Sequence, residues 1–238
     1  MVRAAQAVVM LGGARWLALE VKYLDRAASF YEAFLDLDVV RESGTEAALA
    51  IGDAELRLRA PGPVPRGGLH THYALAIPRT SYDDWYARLD ERFDLEEATF
   101  GDAHSLYFED VEGNCVELGQ RDVHDPEGGV AGLFEVVFEV EALDPATDFY
   151  ERLGFELVDR GDERRRVRLT TGDLDLELWE PQLGIADGRG GVHVDLGLVA
   201  DDPAAAADRV ADDVIGRTDV EDGVTIRDRD GHYVTLVG

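Results

Sequence analysis

Three observations predict an α+β fold made of four modules, each a strand, a helix and three further strands. The chain repeats itself at about half its length, each repeat opens with an alternating strand followed by an amphipathic helix, and the join between repeats is polar. Residues 25–40, DRAASFYEAFLDLDVV, answer residues 144–158, DPATDFYERLGFELV. Segment 110–118, DVEGNCVEL, answers 228–236, DRDGHYVTL, and HYALAIP from His72 answers HVDLGLV from His193. The offsets are 119 (Phe30 to Phe149), 118 (Asp110 to Asp228) and 121 (His72 to His193). Three matches at nearly one spacing indicate a duplication. The join, RDVHDPEGGVA at 121–131, has the composition of a linker and divides the chain into domains over 14–122 and 132–238.

The elements follow in order. Trp16–Val21 alternates, with Leu17, Leu19 and Val21 on one face, as a half-buried strand requires. Asp25 and Asp144 stand where helix N-caps belong, and Phe30, Tyr31 and Phe34 fall at helical spacing behind Asp25. Short strands are expected at 37–42, 46–51 and 54–59. The pattern restarts with a strand at 70–77 and a helix at 81–92, followed by further strands. The second half repeats it with strands at 133–140, 155–160, 164–170, 174–179 and 192–199 and a helix at 203–213. Met1–Gly13 carries Arg3 and a short apolar run, Val8-Val9-Met10-Leu11. With Gln6 just ahead of that run, it reads as an extra strand or a loose arm rather than a signal peptide.

Composition narrows the partners. Fifty acidic side chains against 23 basic ones give a formal charge of -27, while 45% of the 238 residues are hydrophobic. That apolar content is enough for a core and excludes a disordered acidic tail. The charge repels polynucleotides and anionic membranes, so neither is an expected partner. No run approaches the roughly 18–20 apolar residues that span a bilayer. Lys22 is the single lysine and every other basic residue is Arg, a balance like that of proteins working in concentrated salt, which screens self-repulsion. GC-rich coding is the other source of such an Arg bias. Cys115 is the single cysteine, which excludes a disulfide framework and suits a reducing, cytoplasmic setting. A monomer or homodimer is expected.

Four such modules, with FYE..LGFE after a first strand and D.EGN.VEL at a last one, resemble the vicinal oxygen chelate superfamily, which includes glyoxalase I, extradiol dioxygenases, and fosfomycin- and bleomycin-resistance proteins. The resemblance covers 14–238, and HSLYFEDVEGNCVEL at 104–118 is most similar to the first domain of catechol 2,3-dioxygenase-like proteins. It implies that modules pair into half-barrel mixed sheets with helices on the outer face. It also implies that first and last strands aim one side chain each into a cleft, where a divalent ion (Fe, Mn, Zn or Ni) is held. Such an ion polarises adjacent substrate oxygens while a carboxylate moves protons.

Carried over to this chain, the first-strand positions are Trp16, His72, Glu135 and His193, and the last-strand positions are Glu55, Glu117, Glu177 and Thr235. The expected metal set is therefore His72, Glu117, Glu55, Glu135, Glu177 and His193. Two pairings remain open. Modules joined in sequence give one cleft with Trp16, Glu55, His72 and Glu117, and another with Glu135, Glu177, His193 and Thr235. Pairing the second module with the third gathers His72, Glu117, Glu135 and Glu177, and leaves Trp16, Glu55, His193 and Thr235 in a cleft without metal. Neither arrangement supplies the second His of the ring-cleaving members. The resemblance thus implies a metal-dependent enzyme acting on neighbouring oxygens, or a metal-free binding protein of the bleomycin-resistance kind.

Glu117 and His104 are the candidate catalytic residues, His104 through its likeness to a histidine near the metal of dioxygenase-like proteins. His70 is expected at the cleft rim, His232 in a structural turn, and Tyr107 packed against a helix. Cys115 shares a strand face with Glu117 and either borders the cleft or fills space. Arg164, Arg165, Arg166 and Arg168, with Arg57 and Arg59, either line the clefts or pair with surface carboxylates. The phosphate-loop, dinucleotide-binding and nucleophile-elbow motifs are absent from the sequence.

Overall fold

A computed structural model describes residues 9–62, 70–123, 128–161, 165–181 and 193–238. Met1–Val8 and Arg164 lie outside them. The first module comprises β1 (Leu11–Glu20), α1 (Leu24–Leu35), β2 (Val39–Glu42), β3 (Glu46–Ile51) and β4 (Ala54–Arg59). The second comprises β5 (His70–Pro78), α2 (Tyr82–Asp90), β6 (Glu96–Phe100), β7 (Ala103–Glu109) and β8 (Cys115–Arg121). The third has β9 (Gly132–Glu139), α3 (Leu143–Leu153), β10 (Glu156–Arg160), β11 (Arg166–Thr170) and β12 (Asp175–Trp179). The fourth has β13 (His193–Ala200), α4 (Pro203–Arg209), β14 (Gly216–Val220), β15 (Gly223–Arg227) and β16 (Tyr233–Val237). No helix among the described residues is long and apolar enough to cross a membrane.

The strands form two eight-stranded mixed sheets, in the orders β14-β15-β16-β13-β1-β4-β3-β2 and β10-β11-β12-β9-β5-β8-β7-β6. One sheet joins the first and fourth modules, and the other joins the second and third. The duplicated halves are units of sequence, and each sheet takes one module from each half. The seams are antiparallel, β1 against β13 and β5 against β9. Within each module the last strand runs parallel to the first. Strand alternation sends Leu17, Leu19, Leu56, Leu58, Tyr73 and Leu75 to the core under the helices, and the opposite face of each sheet forms a cleft.

The N-cap expectation is corrected. Asp25 and Asp144 lie in the first turns of α1 and α3, whose N-caps are Tyr23 and Ala142. The free N–H groups are met by carboxylates from elsewhere. Glu112 accepts from the backbone of the N-cap Tyr23 at 3.4 Å and of Lys22 just before it at 3.0 Å, and Glu180 from that of Leu143 at 3.2 Å. Asp25 and Asp144 still favour these positive helix ends.

The two repeated motifs meet as cross-module bolts. Tyr31 of α1 donates to Asp110, at 2.5 Å, in the turn before β8, and shares a 2.6 Å hydrogen bond with Tyr73. Asp110 also accepts from the backbones of Glu112 and Asn114, each at 2.8 Å, which closes the turn. Tyr150 of α3 likewise donates to Asp228 at 2.8 Å, and Asp228 accepts from the backbone of His232 at 2.7 Å. The recurring FY and D..G signals therefore tie the first module to the second and the third to the fourth.

Candidate functional site

Register assembles the centre. Across the seam Ala74 lies opposite Glu135, and within its module it lies beside Glu117. His72 stands two residues along the same face. A methyl group at Ala74 leaves room for the three longer side chains to converge. His72 Nε2 is 3.2 Å from Glu117 Oε2 and 3.4 Å from Glu135 Oε1. One donor atom from each of the three falls within 4.8 Å of the others. All three are buried beside a cavity of about 1260 Å³.

The electrostatics follow from that convergence. Burial pushes the His72 imidazole down, but hydrogen bonds and charge from Glu117 and Glu135 outweigh it and bring the pKa to about 9. Burial pushes Glu117 up, and His72, Ser105 and Tyr107 together hold it below the usual carboxylate range. Ser105 donates to Glu117 Oε1 at 2.7 Å, so one oxygen is pinned while the other faces His72. The trio thus holds a proton where a cation fits. An imidazole and two carboxylates are a donor set for borderline and hard divalent ions, and proton and ion compete for it.

Glu177 lines the same cavity outside the trio. Its oxygens accept from Arg166 Nη1 at 3.1 Å and Trp179 Nε1 at 2.8 Å, and burial with the charge of Glu135 raises its pKa. Glu55 is on the other sheet, paired with Arg41 at 3.1 Å and Arg57 at 2.7 Å.

His193 is displaced by register. His70 and His193 pair with Phe138 and Leu19 at corresponding points of the two seams, while His72 and Asp195 pair with Val137 and Ala18. The counterpart of His72 is therefore Asp195. The repeat of His72 at His193 is out by two residues, because the two histidine-led segments align on chemistry rather than on strand position. By the same pairing the counterpart of Glu177 is Arg57, since Glu55 corresponds to Asp175.

Strand faces place the remaining residues. His104 alternates with Ser105 and sits on the helix side, 5.5 Å from the Tyr82 ring and 3.3 Å from Thr99 Oγ1. Tyr107 lies in the cleft, its ring 5.5 Å from that of His72, because Leu106 and Phe108 take the core face of β7. That alternation was the signal for both Ser105 and Tyr107. A register shift between His70 and His72 breaks the period, so Thr71 lines the cleft and His70 is buried, its pKa lowered to about 3 chiefly by desolvation. Cys115 borders the cavity. Arg166 and Arg168 do both things foreseen for them, lining the cavity while paired with Asp159 and Asp175. His232 stacks on Phe138 at 4.2 Å, and its Nε2 lies 2.8 Å from the Glu139 carbonyl.

Comparison with known proteins places this geometry. Residues 13–118 match the family model described as Glyoxalase/Bleomycin resistance protein/Dioxygenase superfamily. Metallothiol transferase FosB of Staphylococcus haemolyticus (strain JCSC1435) is 28% identical over 123 residues, spanning 49% of this chain and 88% of that protein. A proposed dioxygenase of Bacillus subtilis subsp. subtilis str. 168 superposes with a TM-score of 0.75 at 17% identity, over 96% of this chain and 85% of that one. Glyoxalase I from Zea mays gives a TM-score of 0.70 at 18% identity, over 96% and 92% of the two chains. At these identities the structural likeness speaks for the fold alone. Residues 13–118 therefore carry the sequence pattern of that superfamily, and the described chain as a whole carries the fold of glyoxalase I.

Proposed function

We propose that the chain is a metal-dependent enzyme of the glyoxalase and dioxygenase type, acting at the second cleft-forming pair of modules on a small substrate with adjacent oxygen atoms. The observation that carries this reading is the convergence of His72, Glu117 and Glu135 over Ala74. These three residues would hold Fe, Mn, Zn or Ni. Such an ion, when bound, supplies Lewis-acid polarisation of the substrate oxygens. A relative named metallothiol transferase supports a metal-centred chemistry.

The chain's own groups supply the rest. Glu117, with one oxygen fixed by Ser105, is placed to take or return a proton at its Oε2. Tyr107 hydrogen-bonds to Glu117 and faces the cavity, so it orients that carboxylate and borders the substrate. Burial pulls the Arg121 guanidinium down, and it lies over the Phe134 ring at 3.4 Å, fixed at the cavity wall. A single histidine in the trio favours proton transfer over ring cleavage.

The test is metal content. Protein loaded with Fe, Mn, Zn or Ni and desalted at high salt should retain about one ion per chain, and His72→Asn and Glu117→Gln should lose it while keeping the circular dichroism of the parent. Absence of retained metal in the parent protein would overturn the proposal.

A further inference from the structure

The cleft of the first and fourth modules differs from the metal centre at every corresponding position. Trp16, Thr235 and Asp195 stand where Glu135, Glu117 and His72 stand in the other cleft, and they satisfy one another. Trp16 Nε1 and Thr235 Oγ1 both donate to Asp195 at 2.8 Å, and Thr235 also meets the hydroxyl of Thr225 at 2.8 Å. Among the described residues no trio of metal-binding groups forms there. Yet the cleft is open, with a cavity of about 950 Å³, the size of a small-molecule site.

Two arginines reach that cavity from adjacent turns of the β4 pleat, each held by one edge only. Arg57 donates from Nε to Glu55 at 2.7 Å and lies over the Trp16 ring at 3.7 Å. Arg59 donates from Nε to Glu46 at 2.6 Å. No hydrogen bond to a described residue engages the Nη1 or Nη2 atoms of either one. Fixed at Nε, each guanidinium keeps its forked end for an acceptor with two oxygens in a plane. Arg15 opens onto the same space. Glu20, Glu221 and Asp222 also line it and oppose a molecule charged throughout.

We propose that this cleft is a metal-independent binding site for a small organic molecule bearing one terminal carboxylate or phosphate, gripped by the forked ends of Arg57 and Arg59, with its apolar part beside Tyr233. The site is separate from the metal centre and its occupation does not depend on the chemistry there.

The three tryptophans, Trp16, Trp85 and Trp179, give a direct readout, since Trp16 marks this cleft and Trp179 the other. The full chain is titrated with benzoate and with phenyl phosphate at constant ionic strength, following the indole N–H signals by NMR, with Trp16 assigned through Trp16→Phe. A saturable shift of the Trp16 signal is expected, and Arg57→Gln and Arg59→Gln should each weaken binding by about tenfold. Tighter binding of benzoate assigns a carboxylate ligand, and tighter binding of phenyl phosphate a phosphate ester. The proposal is overturned if Trp16 does not move with either probe, if the shift is confined to Trp179, or if both arginine variants bind as the parent does.

Discussion

Ser105 is a small residue with a specific task, holding one oxygen of Glu117 so that the other faces His72. Removing that hydroxyl leaves the ligand set intact but frees its orientation. Ser105→Ala should therefore weaken metal binding by about tenfold, as loss of a supporting hydrogen bond does at other metal sites, measured by calorimetric titration. Asp195 makes a second prediction, this one about pH. Burial raises its pKa, with Trp16 and Thr235 pulling the other way, so the folded state binds the proton more tightly than the unfolded chain. Its contribution is fully present below the unfolded pKa and is lost as pH rises through the folded one. Asp195→Asn keeps the shape without the charge, and its urea midpoint should gain on the parent's steadily from pH 4 to pH 7. A constant difference across that range would contradict the assignment. At this scale the sequence was partly legible. His72, Glu117 and Glu135 were among the positions that the family resemblance implied, and Arg57 was foreseen as a cleft-lining residue, whereas Asp195 was hidden by a two-residue ambiguity that only strand pairing resolves.

The turn between β3 and β4 shows what an element demands of one residue. Gly52 has φ +62°, and a Cβ there would come within 2.1 Å of the Ala131 carbonyl oxygen, just before β9. Gly52→Ala combines backbone strain with a clash against main chain, and should cost on the order of 2 kcal/mol or more in chemical denaturation. The cross-module bolts are a second case. Tyr31→Phe strips Asp110 of a buried charge-assisted partner and should cost about 2 kcal/mol. The elements themselves were plain from alternation and helical spacing, because each face repeats over several residues. Helix starts were not, since Glu112 is 89 residues from Tyr23 in sequence and Glu180 is 37 from Leu143.

For the whole molecule, the exchange of modules between halves sets how it folds. β1 needs β13 and β5 needs β9, so neither half owns a complete sheet. Residues 1–122 expressed alone should fail to give a folded monomer, and mixing them with 123–238 should restore the circular dichroism of the full chain. A stable monomeric half would refute this. The -27 charge adds a salt dependence: self-repulsion is screened as ionic strength rises, so the urea midpoint should climb between 0.1 M and 2 M potassium chloride. The repeat announced four modules, but the choice of partners rests on seam contacts far apart in the chain, which no local pattern encodes.

The same exchange bears on how the two clefts came to differ. In an assembly of two identical chains, every substitution appears twice, and a change that improves one pocket damages its twin. Here the equivalent positions are written separately, once as His72, Glu117 and Glu135 and once as Asp195, Thr235 and Trp16. Within one chain each pocket can be edited without its image, and an indole and a guanidinium stand in one cleft where carboxylates stand in the other.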